Sequence, residues 1–191
     1  MNTALEIIAV VLSLCYLFFL IREQLICWFF GIAASLFSIV LFYRTGLYSE
    51  AILYVYYVII GVYGYSLWRK KLESNNRLKV SVISTQNHIL LLTIAFSLAY
   101  FLGYIFDTYT NASNPYLDAC TTIFSFLASY LEARKILSAW IFWLIINGLT
   151  LVLYAQESLY WYFFLTLVYL IFSVIGYRKW KKSMFQQTAK G

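Results

Sequence analysis

The sequence predicts an all-α integral membrane protein with seven transmembrane helices, arranged as two parallel three-helix repeats joined by a linker helix (3+1+3). Three observations lead to this fold class. Hydrophobic residues make up 63% of the 191 residues, whereas charged residues make up 12%. Seven long, nearly charge-free runs divide the chain, and about 20 apolar residues are needed to cross a hydrocarbon core of about 30 Å. In addition, the chain aligns with itself at a shift of 112 positions.

The seven apolar runs predict one helix each, with ends that are defined to within a few residues. The first run lacks the basic segment and the small-residue cleavage site of a signal peptide, so we expect an uncleaved helix. The fifth run is the shortest and is expected to be tilted or extended. The leftover residues form loops, which predicts a single transmembrane domain over 1–191. In chain order the predicted helices are 5–21, 26–43, 47–68, 88–106, 117–131, 138–155 and 159–177.

The net charge of +6 is explained by membrane topology rather than by a nucleic-acid partner. With the N-terminus outside, thirteen of the fourteen basic residues fall on the inner side, and Arg44 alone falls outside. This asymmetry follows the positive-inside rule, which predicts an external N-terminus and a cytoplasmic C-terminus. The inner basic residues are Arg22, Arg69, Lys70, Lys71, Arg77, Lys79, Arg134, Lys135, Arg178, Lys179, Lys181, Lys182 and Lys190.

An internal repeat accounts for most of the chain. Without a gap, Trp28 aligns with Trp140 and Gly64 with Gly176. Chance similarity between apolar segments would preserve Leu and Val, but not Trp and Gly in one register. Each repeat has three helices, so the unmatched fourth helix gives both repeats the same orientation, as in transporters that bind substrate at the repeat interface near the bilayer midplane. The predicted segments are 5–70 for the first repeat, 88–106 for the linker helix and 117–182 for the second repeat.

A polar and aromatic stripe follows the sixth predicted helix. Its members recur every three or four residues, so they share one helix face, while the other faces carry Ile, Leu, Phe and Val. Polar side chains inside a membrane typically face the bundle interior or a wet cavity. The stripe consists of Trp140, Trp143, Asn147, Thr150 and Tyr154.

Matching faces occur on the first, second, third, fifth and seventh predicted helices. If these faces converge on the bundle axis, aromatic rings would stack on a flat ligand, and the amide and hydroxyl groups would bond its polar edge. The predicted substrate-binding residues are Trp143, Asn147, Trp140, Thr150, Tyr54, Tyr57, Tyr169, Thr166, Trp28, Ser35 and Ser125.

Structural roles stay open for several of these residues. Trp28 and Trp140 lie near the predicted inner interface, where tryptophan is enriched in membrane proteins. Asn147 could bond a neighbouring helix rather than a ligand, an interaction worth roughly 1 kcal/mol. The glycines Gly64 and Gly176 favour close helix packing.

Several function classes are disfavoured by what the sequence lacks. It has no phosphate-binding GxxxxGK[ST] loop, so we do not expect the chain itself to hydrolyse ATP. No acidic or basic residue falls in the middle of a predicted helix, which favours facilitated diffusion over ion coupling. Three scattered cysteines and the single histidine, His88, form neither a catalytic set nor a metal site. We therefore expect no enzyme activity, no cofactor and no metal.

The longest matching segments of the two repeats are WFFGIAASLFSIVLFYRTGLYSEAILYVYYVIIGVYGYSLW and its copy WIFWLIINGLTLVLYAQESLYWYFFLTLVYLIFSVIGYRKW. Both segments resemble the PnuC family of bacterial vitamin transporters, the nicotinamide riboside carriers. The most specific element is the WxxWxxxN pattern at Trp140, Trp143 and Asn147, followed by GLY and the GYxxW ending.

The resemblance implies seven helices in a 3+1+3 plan, a bacterial inner-membrane location and energy-independent uptake of nicotinamide riboside that a cytoplasmic kinase traps. By analogy, a homo-oligomer such as a trimer is expected. Relatives carry thiamine or riboflavin, and Tyr54 and Ser35 depart from the nicotinamide riboside pattern, where Gln and Asn occur. Thiamine is therefore the alternative cargo, because aromatic walls bind either flat cation. A membrane scaffold without a cavity is the alternative from another class.

Overall fold

The predicted seven-helix architecture is confirmed by the computed structural model, which describes residues 2–44, 48–74, 77–110, 114–156 and 160–188. Pro115 at the start of the fifth helix supplies a backbone angle suited to a first helical turn. The Ser84 side chain accepts a hydrogen bond from the Asn87 N–H and caps the fourth helix. The helices are α1 (Asn2–Ile21), α2 (Cys27–Arg44), α3 (Tyr48–Glu73), α4 (Thr85–Tyr109), α5 (Pro115–Ala133), α6 (Ala139–Gln156) and α7 (Tyr160–Thr188).

Four helices within the described ranges are long and apolar enough to cross a membrane, and the apolar parts of α1 and α6 are shorter. Large apolar side chains on their surfaces are exposed, for example Ile52 on α3 and Phe101 on α4 at 69% and 62%. So much exposed apolar surface would favour aggregation in water but is suited to lipid. The four spans are Cys27–Arg44, Ala51–Glu73, Thr85–Tyr109 and Phe163–Gln187.

The chain divides into two compact units. Unit 1 contains α1, α2 and α3, together with the short segment Ala133–Lys135 and the end of α7 from Arg178. Unit 2 contains α4, most of α5, α6 and α7 as far as Tyr177. Within unit 1, α2 packs against both α1 and α3. A cluster of Leu131, Ile136 and Ala139 forms an apolar core within unit 2.

One tryptophan ring lies directly on a glycine in each unit. Trp28 on α2 is 2% exposed, and a Cβ placed on Gly64 of α3 would lie 2.4 Å from its ring. In unit 2 the Trp140 ring is 1% exposed and would lie 2.5 Å from a Cβ on Gly176. The absence of a side chain at each glycine therefore lets the ring approach the backbone of the neighbouring helix.

We expect Gly176→Ala to destabilise the protein by about 1–3 kcal/mol, since the added methyl group overlaps a buried ring with no room to move. Gly148→Ala is the matched control, because nothing lies within 4 Å of a Cβ at that position on α6. There, alanine should gain about 0.5–1 kcal/mol through its higher helix propensity. Thermal unfolding of the detergent-purified variants measures both effects. Equal stability of the two variants would show that the Trp140 contact is not close-packed.

The ends of α1 and α5 share one backbone geometry. Glu23 and Lys135 each follow the helix by two residues and adopt left-handed angles, with φ of 58° and 54°. At each end a backbone N–H bonds a carbonyl five residues earlier, as in a Schellman cap. This local recurrence at a shift of 112 positions is what the predicted repeat requires, while the 3+1+3 plan itself stays a prediction. The two bonds are Gln24 N to Phe19 O at 3.0 Å and Ile136 N to Leu131 O at 2.9 Å.

Candidate substrate-binding site

A chain of hydrogen bonds joins α6 to α7 within unit 2. The side-chain amide of Asn147 donates from Nδ2 to Oγ of Ser173 at 3.3 Å. The Ser173 hydroxyl donates in turn to the backbone carbonyl of Tyr169 at 2.8 Å. Ser173 is 3% exposed, so this link is shielded from solvent and lipid. The polar stripe predicted on the sixth helix thus faces a neighbouring helix at Asn147.

The bond to Ser173 determines the orientation of the Asn147 amide. A hydroxyl has a single proton, and that of Ser173 is used at Tyr169, so its oxygen can only accept from Asn147. Asn147 must therefore present its NH₂ group to Ser173 and direct its carbonyl oxygen elsewhere. In the part of the chain that the structure describes, this oxygen accepts no hydrogen bond. It is a fixed acceptor on a partly exposed side chain, available to a donor on a ligand.

The face of α6 opposite the polar stripe is apolar and exposed. At 100° per residue, the apolar side chains of this face lie roughly opposite Asn147 and Trp143 on the helix. Asn147 and Trp143 themselves are only partly exposed. The stripe therefore does not form the lipid-exposed face of the helix in unit 2. The exposed apolar residues on this face are Ile141, Ile145, Leu149 and Val152, and Leu144, which is 37% exposed, lies beside the stripe.

A carboxyl group that we did not predict holds the Trp143 ring. The indole Nε1 donates to Oε2 of Glu132 at 2.7 Å. Glu132 is the penultimate residue of α5 and is 2% exposed, so it combines a helix-end position with full burial. The predicted helix limits put Glu132 correctly at a helix end. Its burial could not be predicted, because the neighbouring sequence does not distinguish it from an acidic residue at the membrane interface. Hydrogen bonding to an indole N–H favours a buried carboxylate and restricts the ring orientation.

The remaining predicted residues of unit 2 occupy varied surroundings. Trp140 is packed on Gly176, and Thr166 and Ser125 are 6% and 7% exposed. The Thr150 hydroxyl donates to the Ile146 carbonyl of its own helix at 2.9 Å. That bond uses the hydroxyl proton and leaves the oxygen as an acceptor. Their roles as ligand contacts stay predictions. The side chain of Tyr154 lies outside the described residues.

Unit 1 contains an aromatic cluster at Tyr54. Its ring stacks on Phe42 at 5.3 Å between centroids and meets Tyr57 edge to face at 5.5 Å. Ser35 is 5% exposed and donates to the Gly31 carbonyl at 2.8 Å. Trp28 packs on Gly64 and lies edge to face with Trp68 at 5.4 Å. The structure therefore brings the predicted Tyr54 and Tyr57 together, whereas Trp28 and Ser35 pack within the helix bundle of this unit.

Comparisons with known proteins identify relatives of this chain. The family model for the nicotinamide mononucleotide transporter matches residues 3–182. The nicotinamide riboside transporter PnuC of Escherichia coli (strain K12) is 25% identical over 190 residues, covering 84% of this chain and 78% of that protein. The PnuC of Shigella flexneri matches with the same figures.

A solved structure shares the fold. The crystal structure of the vitamin B3 transporter PnuC superimposes with a TM-score of 0.78 at 21% sequence identity, covering 96% of this chain and 83% of that one. The family assignment rests on the match over nearly the whole sequence, and the seven helices with their lipid-suited apolar surfaces are consistent with it. The chain belongs to the nicotinamide mononucleotide transporter family.

Proposed function

We propose that the chain carries nicotinamide riboside across the bacterial inner membrane by facilitated diffusion, and that phosphorylation inside the cell keeps the cargo there. Family membership and the relatives in Escherichia coli and Shigella flexneri, which are nicotinamide riboside transporters, support the cargo. The single observation that supports a recognition site is the fixed, unbonded carbonyl oxygen of Asn147. The N-terminus outside, the C-terminus inside and a trimeric assembly belong to the same proposal.

The chemistry of the cargo suits the residues of unit 2. Nicotinamide riboside has a carboxamide and ribose hydroxyls, each of which can donate to the Asn147 carbonyl oxygen. Its pyridinium ring is flat and cationic, and a tryptophan face attracts such a cation by about 2 kcal/mol or more when water is excluded. Trp143 offers that face, with its N–H occupied by Glu132. We assign Asn147 to hydrogen bonding and Trp143 to ring binding.

Energy independence is supported by the positions of the charged groups. Among the described residues, Glu132 is the one buried acid, and it lies at the end of α5 rather than in mid-helix. Ion-coupled carriers generally place an ionisable group along the transport path. Since Glu132 already accepts the Trp143 N–H, we assign it to holding the ring instead of to carrying protons.

Uptake into liposomes tests both the cargo and the energetics. Purified protein in liposomes without any ion gradient should admit labelled nicotinamide riboside until the inner and outer concentrations are equal. Ionophores should leave the rate unchanged, and a riboside kinase with ATP enclosed in the lumen should drive accumulation beyond equality. Uptake that requires a proton or sodium gradient would contradict facilitated diffusion. Absence of uptake under every condition would favour the scaffold alternative.

Thiamine is the alternative cargo that the Tyr54 cluster favours. The stacked rings of Tyr54 and Phe42 present an aromatic surface at a position where nicotinamide riboside carriers often have glutamine. Competition in the same liposomes separates the cargoes. Excess unlabelled nicotinamide riboside should suppress labelled uptake, whereas thiamine or riboflavin at the same concentration should not. Stronger suppression by thiamine would transfer the assignment to that vitamin.

A further inference from the structure

A cavity of about 660 Å³ lies within unit 1, at the end where α1 and α3 finish. Its volume falls in the range of about 300–1,000 Å³ that is typical of small-molecule sites. Four parts of the chain form its walls: the loop between α1 and α2, the end of α3 with the segment that follows, Lys135 between α5 and α6, and the end of α7. The polar or charged lining residues are Arg22, Glu23, Gln24, Arg77, Lys135, Ser183 and Gln187.

The lining carries more positive than negative charge. Lys135 is paired with Glu23 at 2.7 Å, and their side chains are 7% and 19% exposed. Arg22 and Arg77 have no ion-pair partner among the described residues. The Arg22 guanidinium lies 3.8 Å from the centre of the Phe18 ring, which limits its freedom. Two uncompensated guanidinium groups thus remain at the cavity.

The other walls are held in place by neutral contacts. The Gln187 amide accepts from the Val80 N–H at 3.1 Å and donates to Ser183 at 2.9 Å, which ties α7 to the segment after Arg77. The Trp68 ring lines the cavity. Its Nε1 donates to the Ala133 carbonyl at 2.8 Å, and this bond fixes the orientation of the ring. The cavity therefore combines a rigid ring with two unpaired cations.

We propose that this cavity binds a phosphate monoester of a small ring-bearing molecule. Guanidinium groups bind phosphate oxygens through paired, charge-assisted hydrogen bonds. The volume leaves room for a small ring in addition to the phosphate. None of the lining residues takes part in the Asn147 contact, so the proposal does not depend on that contact. If the proposed function holds, the phosphorylated cargo is a ligand of this class, and the predicted topology puts the cavity on the cytoplasmic side.

In the Glu23–Lys135 pair, the Glu23 carboxylate competes with a bound phosphate for the Lys135 ammonium. The Lys135 ammonium is held by one carboxylate and lies 4.3 Å from the centre of the Trp68 ring, which is itself part of the wall. A phosphate in the cavity competes with Glu23 for this ammonium. Removal of the Glu23 charge therefore frees a third cation for the ligand, so Glu23→Gln should bind phosphate esters more tightly.

Isothermal titration of the detergent-purified full chain tests the proposal, with nicotinamide mononucleotide and inorganic phosphate as probes. Arg22→Gln and Arg77→Gln should each weaken binding of the mononucleotide about tenfold, the usual size of a hydrogen bond to a charged group. Lys179→Gln removes the same charge from the exposed surface of α7 and should change binding less than about twofold. Glu23→Gln should strengthen binding, a gain that misfolding cannot produce.

Two further arms identify the ligand source and separate this site from the cargo site. Asn147→Leu should retain mononucleotide binding while it loses riboside uptake, so a failed cargo assignment leaves the cavity result intact. Binding to vesicles with and without phosphatidylglycerol, compared between wild type and Arg22→Gln, detects a lipid phosphate. A lipid response that is lost in Arg22→Gln would identify a lipid phosphodiester as the ligand and would contradict the proposed monoester. Binding of both probes that is equal in wild type, Arg22→Gln, Arg77→Gln and Glu23→Gln, or absent in all four, would also overturn the proposal.

Discussion

Replacement of Asn147 by leucine is expected to reduce nicotinamide riboside uptake about tenfold or more, because the cargo loses an acceptor whose orientation is already set. Leucine has nearly the same volume and suits the apolar surroundings of α6, so the helix should keep its packing. Initial uptake rates in liposomes, normalised to the amount of reconstituted protein, measure the effect. Thr93→Val is the control, since its hydroxyl bonds the Ile89 carbonyl of its own helix.

The Ser173 hydroxyl should contribute through Asn147 and not by itself. In Ser173→Ala the amide loses the partner that orients it, so uptake should fall by less than in Asn147→Leu. The double variant should then be no worse than Asn147→Leu alone, which is the non-additivity expected of residues that act through one bond. Additive losses would show that Ser173 has an independent role. Normal uptake in Asn147→Leu would remove Asn147 from the cargo site.

Replacement of Glu132 by leucine is expected to have the second large effect. The change removes the charged acceptor of the partly buried Trp143 N–H, which costs about 1.5–3 kcal/mol, and it releases the ring from its fixed orientation. We expect lower thermal stability together with weaker riboside binding. Glu132→Gln keeps an acceptor oxygen of the same length and should retain most of the stability. A loss of stability in Glu132→Gln equal to that in Glu132→Leu would show that the Trp143 bond is not the main role of Glu132.

The charge of Glu132 is tested by a pair of ligands that have nearly the same shape and differ in ring charge. Nicotinamide riboside is a pyridinium cation, whereas its dihydro form has a neutral ring of nearly the same shape. A carboxylate bonded to the Trp143 N–H increases the electron density of the indole and so its attraction for a cation. Glu132→Gln should therefore weaken binding of the cationic riboside more than binding of the dihydro form. Equal weakening of both ligands would restrict Glu132 to a positioning role without electrostatic effect.

The fold was accessible from the sequence because each helix signal is long and local. Runs of apolar residues placed all seven helices within a few residues, except that α3 and α7 continue beyond their predicted ends, to Glu73 and Thr188. The extensions consist of basic and polar residues. The helix ends predicted from hydropathy therefore fall where the apolar residues end, whereas the helical hydrogen bonds continue further. Periodicity alone predicted the Asn147 stripe, and most of the exposed apolar side chains of α6 lie on the opposite face.

The details of the candidate site depend on contacts between distant residues that no local pattern specifies. The Glu132 carboxyl reaches Trp143 from another helix, and its burial is set by the surroundings of both. The stripe and its copy predicted Trp28 and Trp140 as ligand contacts and left a structural role open, and both rings lie on glycines within the helix packing. A tryptophan that fits a glycine and one that lines a cavity have the same spacing in sequence, and only the tertiary contacts distinguish them.

Binding of two vitamins to detergent-purified protein tests most directly whether this chain recognises a pyridine nucleoside. Titration calorimetry with nicotinamide riboside and with thiamine needs neither a membrane nor a kinase. We predict that nicotinamide riboside binds at least about tenfold more tightly than thiamine, since its carboxamide and ribose can donate to the oriented Asn147 oxygen. Tighter binding of thiamine, or binding of neither vitamin, would contradict the assignment.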